Sequence, residues 1–375
     1  MSWLRSLAAL GLALAIDGAA FGAWYTASRA YIRDVMGGEA YTFVALLVAA
    51  EGLPFILAPL AGFLGDLYGR RRLALLGVLR GPLVPLFALL DPMFALSVVF
   101  VYSTLSIVFY TNTLGLLLGA IRGSGRLYGL VTLAMPLAYG FGSIVPGLLE
   151  PLGGYKLVFV AVGFMDVLAP LPLLLAGEDS RTRGSSRRGL LDPILELGGY
   201  MPLGLIAAIL LANIASTLYW NMMSIKLYEV TGSLLAFGFI GGLLTTLISA
   251  AARPVAGALV DRFNADTVLA STYLAYTVYN VALYYATGVY FMVLWLIPLY
   301  PFRETAQVMA ISRRVPQSLQ ATAAGLSSTL WGLASLTYPL AYLAGVDLSI
   351  ASLGQLLALS FSAILVFHSR RASLP

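Results

Sequence analysis

A chain of 375 residues that is 60% hydrophobic and 10% charged, with mean hydropathy +0.89, is far more apolar than a soluble domain, which averages about 45–50% apolar and about 25% charged residues. The absence of cysteine and the single histidine, His368, exclude disulfides, thiolate metal sites and His/Cys clusters. No phosphate-loop or Gly-x-Ser-x-Gly pattern is present, so the sequence implies no enzyme, no cofactor and no metal.

Apolar runs long enough to cross a bilayer, about 20 residues each, are predicted at 7–27, 40–64, 73–90, 93–120, 128–149 and 154–176. A hydrophilic stretch follows at 177–200, and further runs fall at 201–225, 234–260, 267–287, 288–311, 319–344 and 349–368. Twelve all-α transmembrane segments result, six in 1–176 and six in 201–375, joined by a linker. Only Gly288 and a weak polar dip divide 267–311, and without that cut the count is eleven. The first run carries Asp17 at its centre and aromatic residues beyond, which favours a retained helix over a cleaved signal peptide. With both termini placed in the cytoplasm, fifteen arginines fall on the inner side, against Arg29, Arg33, Lys156 and Lys226 on the outer side. That asymmetry predicts an inner or plasma membrane location with both termini cytoplasmic. It also accounts for the net charge of +5 without a nucleic-acid partner.

The two halves repeat one another. Pro59, Ala61, Gly62, Leu64 and Asp66 recur 195 residues later as Pro254, Ala256, Gly257, Leu259 and Asp261, as expected of a duplicated helix bundle. At an offset of 196, Asp17, Phe21, Trp24 and Ser28 are matched by Asn213, Thr217, Trp220 and Ser224. Spacing of i, i+4, i+7 and i+11 places each set on one helical face. Tyr300, Arg303, Glu304 and Gln307 form a further polar stripe, and Asn112 stands one repeat before Gln307.

The segment Gly62-Phe63-Leu64-Gly65-Asp66-Leu67-Tyr68-Gly69-Arg70-Arg71 resembles the signature of the major facilitator superfamily, which has the form Gly-x-x-x-Asp-Arg-x-Gly-Arg-Arg. Leu67 replaces the usual Arg, and the second copy keeps Gly257, Asp261 and Arg262 but has Asn264 and Asp266 where Gly and a base would fall. The resemblance implies two pseudo-symmetric six-helix bundles rocking about a central site, with segments 1, 4, 7 and 10 lining it and segments 3 and 6 outside it. It also implies that Asp66 and Asp261 gate by facing the starts of segments 11 and 5, where an anion compensates a helix N-terminus.

Seven ionisable residues lie within the predicted spans: Asp17, Glu51, Arg80, Asp166, Arg253, Arg303 and Glu304. Each needs a partner, a cavity or a proton. Asp17, then Glu304, then Glu51 are the candidate proton-coupling carboxylates. The candidate cavity comprises Phe21, Trp24, Asn112, Asn213, Thr217, Trp220, Tyr300, Arg303 and Gln307. Arg80 and Asp166 read as structural, and Arg253 as a side chain reaching for the headgroups. These residues predict a monomeric secondary transporter of a small organic solute, with protons and the lipid bilayer as its other partners. Acids beside aromatics favour proton-coupled efflux of an amphipathic or cationic compound. The alternatives are uptake of a sugar or other small nutrient and, in another class, a non-transporting scaffold or receptor.

Overall fold

The computed structural model describes residues 2–121, 131, 133–176, 199–314 and 320–372. Among them the chain forms helices throughout, and consecutive helices group into twelve segments. In the first half these are α1 (Ser2–Met36), α2 (40–68), α3 (70–86), α4 (Pro92–Ile121), α5 (134–152) and α6 (155–175). In the second they are α7 (Leu203–Thr231), α8 (234–263), α9 (Ala265–Tyr285), α10 (288–312), α11 (320–343) and α12 (Leu348–Ala372). The stretches Trp3–Gly62, Pro92–Leu117, Val145–Leu175, Leu203–Thr231, Leu234–Phe263 and Leu348–Ser369 are long and apolar enough to cross a membrane by length and composition. Leu203, Leu343 and Val278 are among the large apolar side chains left exposed, as a lipid-facing surface requires.

Interruptions follow the sequence. Pro54 and Pro59 turn the middle of α2 through a 3-10 stretch, Leu53–Leu57. The break between α5 and α6 falls at Gly153 and Gly154, and that between α9 and α10 at Ala286 and Thr287, so the cut at 267–311 that gives twelve rather than eleven is present. The turn between α2 and α3 rests on Gly69, whose φ of 99° is a conformation L side chains rarely adopt.

Two predicted boundaries are too short. α1 runs on to Met36 and α7 to Thr231, so Arg29, Arg33 and Lys226 are not loop residues. Hydropathy ended both spans early because their last turns carry charges, yet those charges are satisfied within the protein. Lys226 donates to the Tyr284 carbonyl at 2.6 Å.

Two of the three core clusters each lie within one half or almost so, and the third spans both. One apolar cluster lies almost wholly within the second half, around Tyr219, Tyr273, Phe291 and Leu359. Another joins Leu10, Leu14, Phe109 and Leu173 of the first. A third is centred on Phe43, Phe87 and Phe159 and takes in Leu218, Met222 and Tyr338 from the second half, so it bridges the two.

Candidate functional site

The end of α1 away from residue 1, called distal here, carries most of the polar bonds between the halves. Arg33 on α1 and Tyr41 on α2 both bond Glu229 on α7. Asp34 accepts from Tyr155 on α6 at 2.6 Å and from Tyr228 on α7 at 3.0 Å. One level deeper lies Arg29, 1% exposed. It clasps both oxygens of Glu51 on α2 at 2.7 and 2.6 Å and reaches across to Asn221 on α7 at 3.0 and 2.6 Å. Trp24 donates its indole N–H to the same Glu51 at 2.8 Å. A fork-to-carboxylate pair with a third acceptor satisfies the guanidinium geometry, which is why this arginine can lie dry inside a helix bundle.

Small residues let the halves close there. Ser143 on α5 donates to the Gly238 carbonyl on α8 at 2.8 Å, and a methyl group at Gly242 would fall 1.7 Å from the Ser143 hydroxyl. The π-turn Gly238–Leu244 lies at this contact. On the other side of the seam, Gly332 on α11 abuts the backbone of Ile56, and Phe55 meets Trp331 edge-on at 4.5 Å. The distal end is therefore closed by backbone-close packing.

The central seam has a different character. Phe21 on α1 is exposed and packs beside Tyr139 on α5, which lies within Coulombic range of Arg29, Glu51 and, from the other half, Tyr300. Tyr300 on α10 is 50% exposed although it sits within range of Arg253, Arg303, Glu304 and Tyr276. Glu304 pairs with Arg253 on α8 at 2.8 Å, with both side chains more than a third exposed. Exposed charges in the middle of apolar helices need water beside them, because lipid would not solvate them.

The first-half charges form a separate cluster. Arg80 on α3, 2% exposed, donates to Asp17 on α1 at 2.6 Å and lies 3.2 Å from Asp166 on α6. Its guanidinium covers the Phe109 ring, and Tyr102 on α4 lies close to Asp166. Both carboxylate oxygens of Asp166 are buried, with the Tyr102 hydroxyl and the Arg80 guanidinium as their polar neighbours. Two acids thus share one base in a dry site.

The model of the Major Facilitator Superfamily matches residues 11–339. The chain belongs to that family. It is accordingly a multi-pass membrane transporter. Three solved structures share its fold: a mutant of the nucleoside transporter NupG (11% identity, 100% of both chains, TM-score 0.76), a mutant of the peptide transporter POT in complex with alafosfalin (12%, 98% of this chain and 94% of that, 0.75), and a bacterial homologue of the human lysosomal transporter Spinster in an inward-facing, unoccupied conformation (15%, 99% and 97%, 0.70). No curated protein matches the chain.

Within this family fold, several residues expected in the cavity lie elsewhere. Asp17 is buried against Arg80, which also faces Asp166, so the two residues read as structural are joined to the first candidate for proton coupling. Trp24 is enclosed by Phe87, Tyr102 and Phe159, and Trp220 packs inside the second half on Tyr276, Tyr279 and Trp295. Thr217 accepts from Trp331 at 3.1 Å, and Asn213 is buried beside Tyr338. Asn112 donates to the Ala61 and Val108 carbonyls at 3.2 and 2.8 Å, a helix-to-helix tie. Gln307 is partly exposed and has a partner. Arg253, expected to reach for headgroups, instead pairs with Glu304. Of the stripes, Phe21 and Tyr300 are exposed and Arg303 and Glu304 partly so, with Tyr139 beside Phe21 and Tyr25 beside Tyr139.

In the loop motif, bases and glycines make contacts with neighbouring helices. Gly62 lies against Thr111, Arg70 donates to the Gly115 carbonyl on α4 at 2.8 Å, and Arg71 to the Ala176 carbonyl at 2.9 Å. The Asp66 side chain, the linker residues 177–198 and the segment starts at 123–125 and 315–319 lie outside the described residues. In the second copy Asp261 pairs with Arg313 at the end of α10, Arg262 covers Phe263, and Gly257 borders open space. Asp266, which replaces the expected base, binds Arg314 with both oxygens, so the degenerate copy is rebuilt as ion pairs.

Proposed function

We propose that the chain is a proton-driven secondary carrier of a small amphipathic organic solute, in which the halves 1–176 and 201–375 rock about the Phe21–Tyr139–Tyr300 seam. The observation that carries proton coupling is the two-to-one ratio of buried acids to base at Asp17, Arg80 and Asp166. With both acids ionised the cluster holds one uncompensated charge in a site that excludes water, and a single shared proton makes it neutral. Asp17 is one helical turn from Phe21 on the cavity, so protonation and cavity shape act on the same stretch of α1.

Alternating access is supported by the distal latch. Arg29–Asn221, Arg33–Glu229 and the Ser143–Gly238 contact hold the halves together at one end, and all are polar or small-residue contacts of a kind that can break and re-form. Glu51 and Glu304 are each neutralised by an arginine, Arg29 and Arg253, so neither stands ready as a counter-ion for a cationic solute.

The test is counterflow in proteoliposomes, with and without an imposed pH gradient. Exchange without a gradient and accumulation with one support a proton-driven carrier. Exchange indifferent to pH leaves a uniporter, and no exchange of any solute refutes transport.

A further inference from the structure

We propose that the cavity selects a solute bearing a single negative charge, a carboxylate or its equivalent, held by Arg303; the proposal rests on the seam being the transport site. The charges facing that part of the cavity are Arg253 on α8 and Arg303 and Glu304 on α10. Arg253 and Glu304 cancel as an ion pair at 2.8 Å. Arg29 and Glu51, on the first-half side, cancel likewise. Arg303 remains, and among the described residues its guanidinium makes no hydrogen bond or ion pair. It lies over the face of Tyr276, 5.9 Å from the ring centre.

An arginine at this depth without a counter-ion is costly to keep unless an anion arrives from solution. Apart from Glu304, already paired with Arg253, its surroundings are phenols. Tyr273 and Tyr276 on α9, Tyr300 on α10 and Tyr338 on α11 all lie within Coulombic range of it. The Tyr273 hydroxyl is buried with no hydrogen-bond partner, a spare donor one turn from Tyr276. A planar fork in a phenol-rich neighbourhood suits a carboxylate, which accepts in two directions and offers no proton of its own. The rings of Tyr300 and Phe21, both exposed to the cavity, supply an apolar wall for the rest of the solute.

The chain contains no cysteine, so a thiol can be placed at Tyr300, one turn from Arg303. The folded Tyr300→Cys protein is labelled with anionic ethylsulfonate and cationic ethyltrimethylammonium methanethiosulfonate, and the ratio of rates is compared with that of free 2-mercaptoethanol. A net positive site raises the anion-to-cation ratio by about tenfold over the free thiol. Arg303→Gln removes that preference, Arg303→Lys retains it, and raising the salt concentration collapses it in the Tyr300→Cys protein itself. An anionic probe, 3-phenylpropionate, slows labelling more than its neutral amide does. A ratio at or below that of the free thiol, a ratio unchanged by Arg303→Gln and by salt, or protection by the amide equal to that by the acid or absent from both overturns the proposal while leaving the carrier standing. A thiol that neither reagent reaches refutes the water-filled seam, and with it the reading of that seam as the transport site.

Discussion

Removing Arg80 strands two carboxylates in the dry interior of the first half. At an effective dielectric of about 20, unit charges about 4 Å apart attract by about 4 kcal/mol, and Arg80 makes two such contacts, with nearest atoms at 2.6 and 3.2 Å. Protonation of the stranded acids and entry of water recover part of this, so Arg80→Met is expected to cost about 3–5 kcal/mol, as breaking a buried pair does. Asp17→Asn behaves differently. It leaves Arg80 facing Asp166 one-to-one, neutral without a proton, and should keep most of the stability. The triple variant Arg80→Met, Asp17→Asn, Asp166→Asn leaves no charge in this cluster and should regain much of what Arg80→Met loses. Thermal melting in detergent, read as the fraction that remains monodisperse on size exclusion, ranks the three. Arg80→Met as stable as the parent, or a triple variant no better than Arg80→Met, would show that the cluster is not held by charge.

Asn221→Ala takes from Arg29 its acceptor in the other half, bonded at 3.0 and 2.6 Å; at about 1.5–3 kcal/mol for a hydrogen bond to a charged group, it should raise labelling of a cysteine at Ser224, buried beside the latch, by tenfold or more. Gly242→Ala forces a methyl group to within 1.7 Å of the Ser143 hydroxyl and should both lower the melting temperature and open the distal end to the same label. Gly69→Ala should cost about 1–3 kcal/mol through its φ of 99°, seen as a lower melting temperature. Asp347 caps α12, accepting from Ile350 N–H at 2.9 Å, and the bond holds its carboxyl below the usual range. Its contribution is therefore full above the unfolded value near pH 4 and lost as pH falls through the lower folded value, and Asp347→Ala should cost about 1 kcal/mol only above that window. Single cysteines at Gly38 and Arg183 should label from opposite sides of the membrane.

Local features were legible and partnerships were not. Gly69, Arg70 and Arg71 could be read because a turn and its basic flank are encoded in a few neighbouring residues. The break before Gly288 could be read for the same reason. The face of α10 bearing Tyr300, Arg303 and Glu304 was legible from helical periodicity. The partners of Asp17 lie 63 and 149 residues away on other helices, and periodicity along one helix carries no information about rotation against another. Trp24 shares the stripe of Phe21 but is turned into the first half by Phe87 and Phe159, so one face in sequence is two environments in the bundle. Arg29 escaped attention as a site residue because a buried, fully paired arginine looks, by hydropathy, like the end of a span. The signal available was Asn221, an amide at the matching depth of α7.

Proton movement measured alongside solute movement tests the central claim most directly. Proteoliposomes holding a trapped pH-sensitive dye are given a solute identified by counterflow, and internal pH is followed as the solute crosses. The account predicts a pH change that accompanies solute movement in the parent protein and is lost in Asp17→Asn and Asp166→Asn, both of which still exchange solute. An Asp17→Asn protein that moves protons with solute as the parent does would contradict it.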